Sequence, residues 1–229
     1  MSLEGNIGSG KSTVLAAVEK KRGTCVLQEP VDEWSTPVDG VPGGPGMLQL
    51  FYADRVRNGF AFQMFVMLSR VRQHLDVLRS PGGRDEGPIL TERCLASDYE
   101  LFGKTMRESG LLDDAQWATY DGWSAVVSDI FSAAAPDKAK GAGCRACPAG
   151  VVYLRATPEK SLERVDKRRR DGEAAIALED LASLHEAHEA WIVRLRADGV
   201  PVLTLDGDQD GEQAVEAHAD AIAVFLASF

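Results

Sequence analysis

The residues with the clearest chemistry lie at the start of the chain. Gly5-Asn6-Ile7-Gly8-Ser9-Gly10-Lys11-Ser12 satisfies the spacing G-x-x-x-x-G-K-[ST], and Thr13 follows. Glycines at these positions let successive backbone N–H groups curl around phosphate oxygens, and a helix starting there adds its positive dipole end. Lys11 is placed to reach the β- and γ-phosphates, and the Ser12 hydroxyl to ligate Mg²⁺. An apolar stub precedes the motif and a helix-like stretch, Thr13–Lys20, follows it, which is the context such a loop requires. Alone, the motif specifies a nucleoside triphosphate and no particular reaction.

Two carboxylates could act beside it. Glu29-Pro30 and Glu92-Arg93 each close a short apolar run. Ligands of open parallel sheets sit outside the carboxyl ends of the strands, so both pairs point at the crevice of the phosphate loop. Glu29 could take the proton of an attacking hydroxyl. Glu92 could hold Mg²⁺ with its water, and Arg93 a phosphate. On these residues alone, a strand-end turn and a surface ion pair account for them at least as well.

Gln63, Val66 and Arg70 recur at i, i+3 and i+7 and so share one helical stripe, distinct from the seam of Met64, Leu68, Val71, Leu75 and Leu78. An amide and a forked donor on one stripe suit a planar polar ring, although periodicity alone favours a solvated face. Arg164, Lys167, Arg168, Arg169 and Arg170 form a basic cluster. Arginines on a mobile segment can close over phosphates; a solvated helix or a nucleic-acid patch is the alternative.

The elements that must position these groups alternate. Candidate strands are Ser2–Glu4, Thr24–Gln28, Pro88–Thr91, Val151–Arg155 and Pro201–Leu205, with helical periodicity between them, as in Leu181, Leu184, His188, Trp191 and Leu195. That alternation predicts an α/β fold on a parallel sheet. Val38–Gly46, Ser80–Gly87 and Ala133–Gly150 read as loops.

The 229 residues are 45% hydrophobic and 26% charged, enough for a core without disulfide staples, and the whole chain, residues 1–229, reads as one domain. A formal charge of −10 argues against broad nucleic-acid binding, which needs a basic face. No apolar run is long enough to span a membrane. Four cysteines in a chain this long suggest a reducing compartment, hence the cytoplasm, or a mitochondrion if an upstream targeting peptide is missing. His185 and His188 have the wrong spacing for a two-histidine zinc helix, and Cys144 and Cys147 are a single half-site.

Taken in order, LEGNIGSGKST, QEPVDEW, FQMFVMLSRVRQH, ERCLASDYELF, VVYLRATPEKSLERVDKRRRDGE and LASLHEAHEAWI resemble the deoxynucleoside kinase family, from Leu3 to about Asp210. The resemblance implies a P-loop kinase fold: a five-stranded parallel sheet flanked by helices, with an arginine-bearing lid. It implies a homodimer, ATP as donor, a deoxyribonucleoside as acceptor, and Mg²⁺. Glu29 matches the base that deprotonates the 5′-hydroxyl. Trp34 and Phe102 match aromatics that pack on the nucleoside, with Leu48, Phe62 and Val66 lining the same site. Gln63 matches the residue that bonds the base, and Tyr52 with Glu173 the pair that holds the 3′-hydroxyl. Arg93 matches the arginine beside the reacting phosphate and Glu92 a carboxylate near the metal. Arg164, Arg168 and Arg170 match the lid. Arg70 and Asp98 match a pair that goes with deoxycytidine or deoxypurine substrates over thymidine; among deoxycytidine, deoxyadenosine and deoxyguanosine the choice stays open, with Val66 tilting it to deoxycytidine. Two departures stand out: Cys94 replaces the serine of Glu-Arg-Ser, and Gly172-Glu173 replaces a pair of acidic residues. A thymidylate-type nucleoside monophosphate kinase and a non-catalytic nucleotide-binding subunit of the superfamily are the alternatives.

Overall fold

The computed structural model describes residues 1–22, 24–38, 40–79, 88–134, 147–168 and 176–229. Five strands form one sheet: β1 (Ser2–Glu4), β2 (Val26–Leu27), β3 (Leu90–Glu92), β4 (Val151–Arg155) and β5 (Val202–Asp206). Their spatial order is β2-β3-β1-β4-β5 and every pairing is parallel. The predicted strands are therefore all present. The second and third are shorter or later than expected: pairing starts at Val26 and at Leu90, beyond Pro88, which has no N–H to donate.

The chain reverses direction across the sheet at β1, whose neighbours are β3 and β4. That leaves the loops after β1 and β3 side by side at the carboxyl edge, the place where open α/β sheets bind ligands. Helices α1 (Lys11–Arg22) and α10 (Glu212–Leu226) cover one face, burying Leu3, Leu15, Leu90, Val152 and Ile222. Helix α9 (Leu178–Ala197) covers the other, burying Trp191, Ile192 and Leu195 against Val151 and Tyr153. The periodic residues Leu181, Leu184, His188, Trp191 and Leu195 are its buried face.

Between β2 and β3 lie α2 (Val31–Ser35), α3 (Met47–Ala53) and the long α4 (Arg55–Arg79). After β3 come a single turn α5 (Leu95–Ser97), a π-helical segment (Asp98–Gly103), α6 (Lys104–Glu108) and α7 (Asp114–Ala134). Helix α8 (Pro158–Arg168) follows β4. On α4 the polar stripe is buried rather than solvated, and the apolar seam is mixed, with Met64 and Val71 half-buried against Met67, Tyr99 and Tyr120. Gln63, Val66 and Arg70 are buried at 3%, 6% and 1% exposure, while Leu68 of the apolar seam is 51% exposed. Of the predicted loops, 80–87 lies outside the described residues, as does 135–146 with Cys144.

Candidate active site

The loop after β1 wraps the start of α1. Gly8 has φ 81°, and a Cβ there would sit 2.4 Å from the Ser161 carbonyl oxygen on α8. Glycine is thus required both by the backbone and by the close approach of α8. Asn6 anchors the loop: its Nδ2 donates to Leu181 O (2.8 Å) and its Oδ1 accepts from Ile7 N (2.9 Å). Lys11 is buried and donates through Nζ to Gly5 O (3.2 Å) and Asn6 O (2.9 Å), 3.9 Å from Glu92. Burial, with the nearby Arg93 charge, lowers its pKa to about 8 against the opposing pull of Glu92, Glu29 and Glu4. Ser12 Oγ donates to both carboxylate oxygens of Glu92 at 3.2 Å.

A buried network of charges lies alongside. Glu29 Oε1 is 3.2 Å from Arg70 Nη2 and 3.1 Å from Arg93 Nε. Burial alone would raise the Glu29 pKa, but the charges of Arg93, Arg70 and Lys11 outweigh it and hold the carboxyl below its usual range. Arg70 grips Asp98 in a fork, Nε to Oδ2 at 2.6 Å and Nη2 to Oδ1 at 3.0 Å, and its Nη1 reaches Glu92 O at 2.8 Å. Burial works against the Arg70 charge, yet Asp98 and Glu29 more than offset it and raise its pKa. Burial raises the Asp98 carboxyl, with Arg70 pulling the other way.

Arg93 occupies the left-handed region with φ 62°, an uncommon conformation for a residue with a side chain. Its N–H donates to Leu3 O at 3.0 Å, and its guanidinium lies 4.5 Å from the Phe102 ring centroid. Its Nη1 is buried without a hydrogen-bond partner among the described residues. The turn is closed by Cys94, whose Sγ accepts from Ser97 N (3.4 Å) and donates to Glu4 Oε1 (3.3 Å). Cysteine therefore caps this turn as the serine expected there would. Burial pushes its thiol up to about 12, and burial raises Glu4 to about 7.

An apolar box completes the cavity. Trp34 meets Phe62 edge to face (5.9 Å, 85°), and Phe62 stacks on Phe51 (4.7 Å, 13°). Trp34 Nε1 donates to Ser69 Oγ at 3.0 Å, which satisfies its one polar atom. The π-helical turn brings Asp98 and Phe102, four residues apart, to the same wall. The cavity has a volume of about 1000 Å³, at the upper end of ordinary ligand sites.

Of the residues singled out from sequence, Ile7, Gly8, Ser9, Gly10, Lys11, Ser12, Thr13, Glu29, Trp34, Leu48, Tyr52, Phe62, Gln63, Val66, Glu92, Arg93, Asp98, Phe102, Arg164 and Arg168 all line it. Asn6 and Arg70 stand behind the wall. Arg70, expected against the base, reaches the cavity through its bonds to Asp98, Glu29 and the Glu92 carbonyl. Arg164, expected over the phosphates, ties the phosphate loop to the loop after β5: Nη1 donates to Ser9 O (3.0 Å) and Gly207 O (2.6 Å), and Nη2 to Asp210 Oδ1 (2.7 Å). Arg170 and Glu173 lie outside the described residues.

Sequence reasoning missed Phe51, Arg55, Met106 and Asp180, and Gly207, Gln209 and Asp210 after β5, all of which line the cavity. The last three follow the carboxyl end of a strand, the signal that had found Glu29 and Glu92. Arg55 bonds Asp180 at 2.9 Å, bridging α4 and α9, and no spacing in the sequence announces that pair.

Comparison with known proteins places the chain. The family model described as deoxynucleoside kinase matches residues 1–227. The chain is 32% identical to deoxycytidine kinase 2 of Gallus gallus over 229 residues, covering 92% of this chain and 82% of that protein. It is 32% identical to deoxycytidine kinase of Rattus norvegicus over 247 residues, 100% of this chain and 91% of that protein. It is 30% identical to the mitochondrial deoxyguanosine kinase of Xenopus laevis over 229 residues, 93% of this chain and 82% of that protein.

Proposed function

The chain belongs to the deoxynucleoside kinase family, and on that premise we propose that it transfers the γ-phosphoryl of ATP to the 5′-hydroxyl of deoxycytidine or a deoxypurine nucleoside ahead of thymidine. One observation carries the reading: the Glu29 carboxylate, flanked by Arg70 and Arg93 at 3.2 and 3.1 Å, shares a cavity with the phosphate loop. The two guanidiniums keep Glu29 ionised and fix its direction. It accepts the 5′-hydroxyl proton as the oxygen attacks phosphorus.

Arg93 neutralises charge at the transferred group. Its unpartnered Nη1 supports this, because a buried donor without a partner calls for a ligand, and a phosphate oxygen is one. The loop N–H groups and Lys11 hold the remaining phosphates. Ser12 and Glu92, adjacent oxygen donors, fit Mg²⁺, which takes one or two protein oxygens and completes its shell with phosphates and water. When bound, Mg²⁺ would neutralise charge on the β- and γ-phosphoryl oxygens.

The acceptor lies in the apolar box. Gln63 bonds the edge of the base, and Tyr52, with Glu173 as its partner, holds the 3′-hydroxyl. In its ionised form, which the Arg70 fork favours, Asp98 is an acceptor only. Both its oxygens already receive Arg70, and each keeps a lone pair for an exocyclic amino group such as that of cytosine or adenine. The O4 carbonyl of thymine offers no proton there. Val66, β-branched and buried on this wall, narrows it toward deoxycytidine.

The remaining proposals concern the setting. One domain carries the site, since a single sheet joins Ser2 to Asp206. A homodimer is supported by the apolar residues left exposed on α4 and its neighbour α7: Leu68 51%, Trp123 54%, Val126 48% and Ile130 59%. Among the described residues no helix is long and apolar enough to cross a membrane. Cys25 and Cys94 are free thiols, as the cytoplasm would keep them, while Cys147 is disulfide-bonded.

The test incubates the protein with ATP, Mg²⁺ and each deoxynucleoside or deoxynucleoside monophosphate, following ADP and the new phosphate ester. Deoxycytidine or a deoxypurine nucleoside should give a 5′-monophosphate fastest. Thymidine in first place overturns the base reading, and turnover of monophosphates alone overturns the acceptor.

A further inference from the structure

Beside Gln63 the cavity wall is one flexible side chain. Met106 of α6 is 7% exposed, and its Sδ receives Gln63 Nε2 at 3.1 Å. A thioether is a weak acceptor, so the amide is poorly satisfied there and a better acceptor would displace the sulfur. Met106 rests on Gly59 of α4: a Cβ at 59 would lie 2.7 Å from Met106 Cε and 3.4 Å from Leu111 O. The bare backbone at 59 is what gives the methionine its seat. Thr105, Ser109 and Leu111 line the same corner of the cavity.

We propose that Met106, seated on Gly59, determines how large a base the cavity admits: it competes with the base for the Gln63 amide, and its volume favours a pyrimidine over a purine. Methionine suits this because its unbranched chain can move aside without strain. The inference rests on reading Gln63 as the group that bonds the base.

Two variants push the seat in opposite directions. Met106→Ala opens the corner down to Gly59 and Leu111. Gly59→Ala presses the methionine toward the ligand, and alanine is the better residue for a helix interior, so the fold is retained. The readout is a competition between deoxyadenosine and deoxycytidine, expressed as the ratio of kcat/KM. A methylene in a hydrophobic pocket is worth ~10–200-fold in discrimination. Met106→Ala should raise the purine-to-pyrimidine ratio by ~10-fold or more, and Gly59→Ala should lower it by ~3-fold.

Ratios within ~2-fold of the unmodified protein in both variants, or a shift of both in one direction, overturn the proposal. If Met106→Ala does not fold, Gly59→Ala decides alone by the sign of its shift. Gln63→Ala separates this outcome from a failure of the underlying reading. If Gln63→Ala loses base discrimination while the other two variants do not move it, Met106 is not the determinant. If Gln63→Ala leaves discrimination intact, Gln63 does not bond the base and both ideas fall.

Discussion

At the phosphate-loop end the cavity wall is chiefly one contiguous octapeptide, the loop after β1. At the other end it is backed by a network of side chains from separated segments: Glu29 after β2, Arg70 behind the wall on α4, Glu92-Arg93 after β3 and Asp98 at the π-helical turn. A backbone cradle is fixed by where glycines allow the chain to turn. A side-chain network is fixed by mutual charge, so each member's state depends on the others. The first should respond to substitution locally, and the second as a unit.

The largest expected effect is on substrate choice. Sites built on buried hydrogen bonds reject a mismatched analogue by as much as ~10⁴–10⁵. Removing both partners, Arg70→Met with Asp98→Ala, should release part of that rejection and raise thymidine over deoxycytidine by ~10²-fold or more in kcat/KM. A ratio that stays put places base selection outside this pair.

Stability comes next. Arg70→Met alone leaves Asp98 buried without its counter-charge, which costs about 3–5 kcal/mol. The double variant removes the orphan and should recover part of that loss in urea unfolding. Additive losses would mean the two residues are not coupled.

The phosphate end has its own buried charge, and here pH is the probe. Glu4 is fully buried, its Oε2 has no partner among the described residues, and its pKa is raised to about 7 in the folded chain. Between the ordinary value of 4.5 and about 7 the folded state therefore binds more protons than the unfolded state, and stability falls as pH rises through that window. At 1.36 kcal/mol per pKa unit the full effect is about 3 kcal/mol. Glu4→Gln should flatten this decline in melting temperature between pH 5 and pH 8, whereas an unchanged slope would assign it to other groups.

The same contrast explains what could be read in advance. The phosphate loop was legible because one stretch of chain carries both its spacing and its context. The sheet was legible because its central strands β1, β3 and β4, buried on both faces, are short apolar runs, and only strand ends slipped, as at Pro88. On α4 the signal misled: polarity assigned Gln63 and Arg70 to solvent, but Arg70 is buried because Asp98 and Glu29 arrive from elsewhere to neutralise it. Periodicity within one helix carries no record of partners on other segments. The Gln63–Met106–Gly59 corner was hidden for the same reason, since its members lie on two helices separated by a strand.

The central claim is that Glu29, held ionised between Arg70 and Arg93, removes the acceptor proton. Glu29→Gln keeps the shape and removes the base. Measured by turnover on deoxycytidine alongside ATP affinity, the variant should lose ~10²–10⁴-fold in kcat while binding ATP as before. Near-normal kcat in Glu29→Gln would contradict the account.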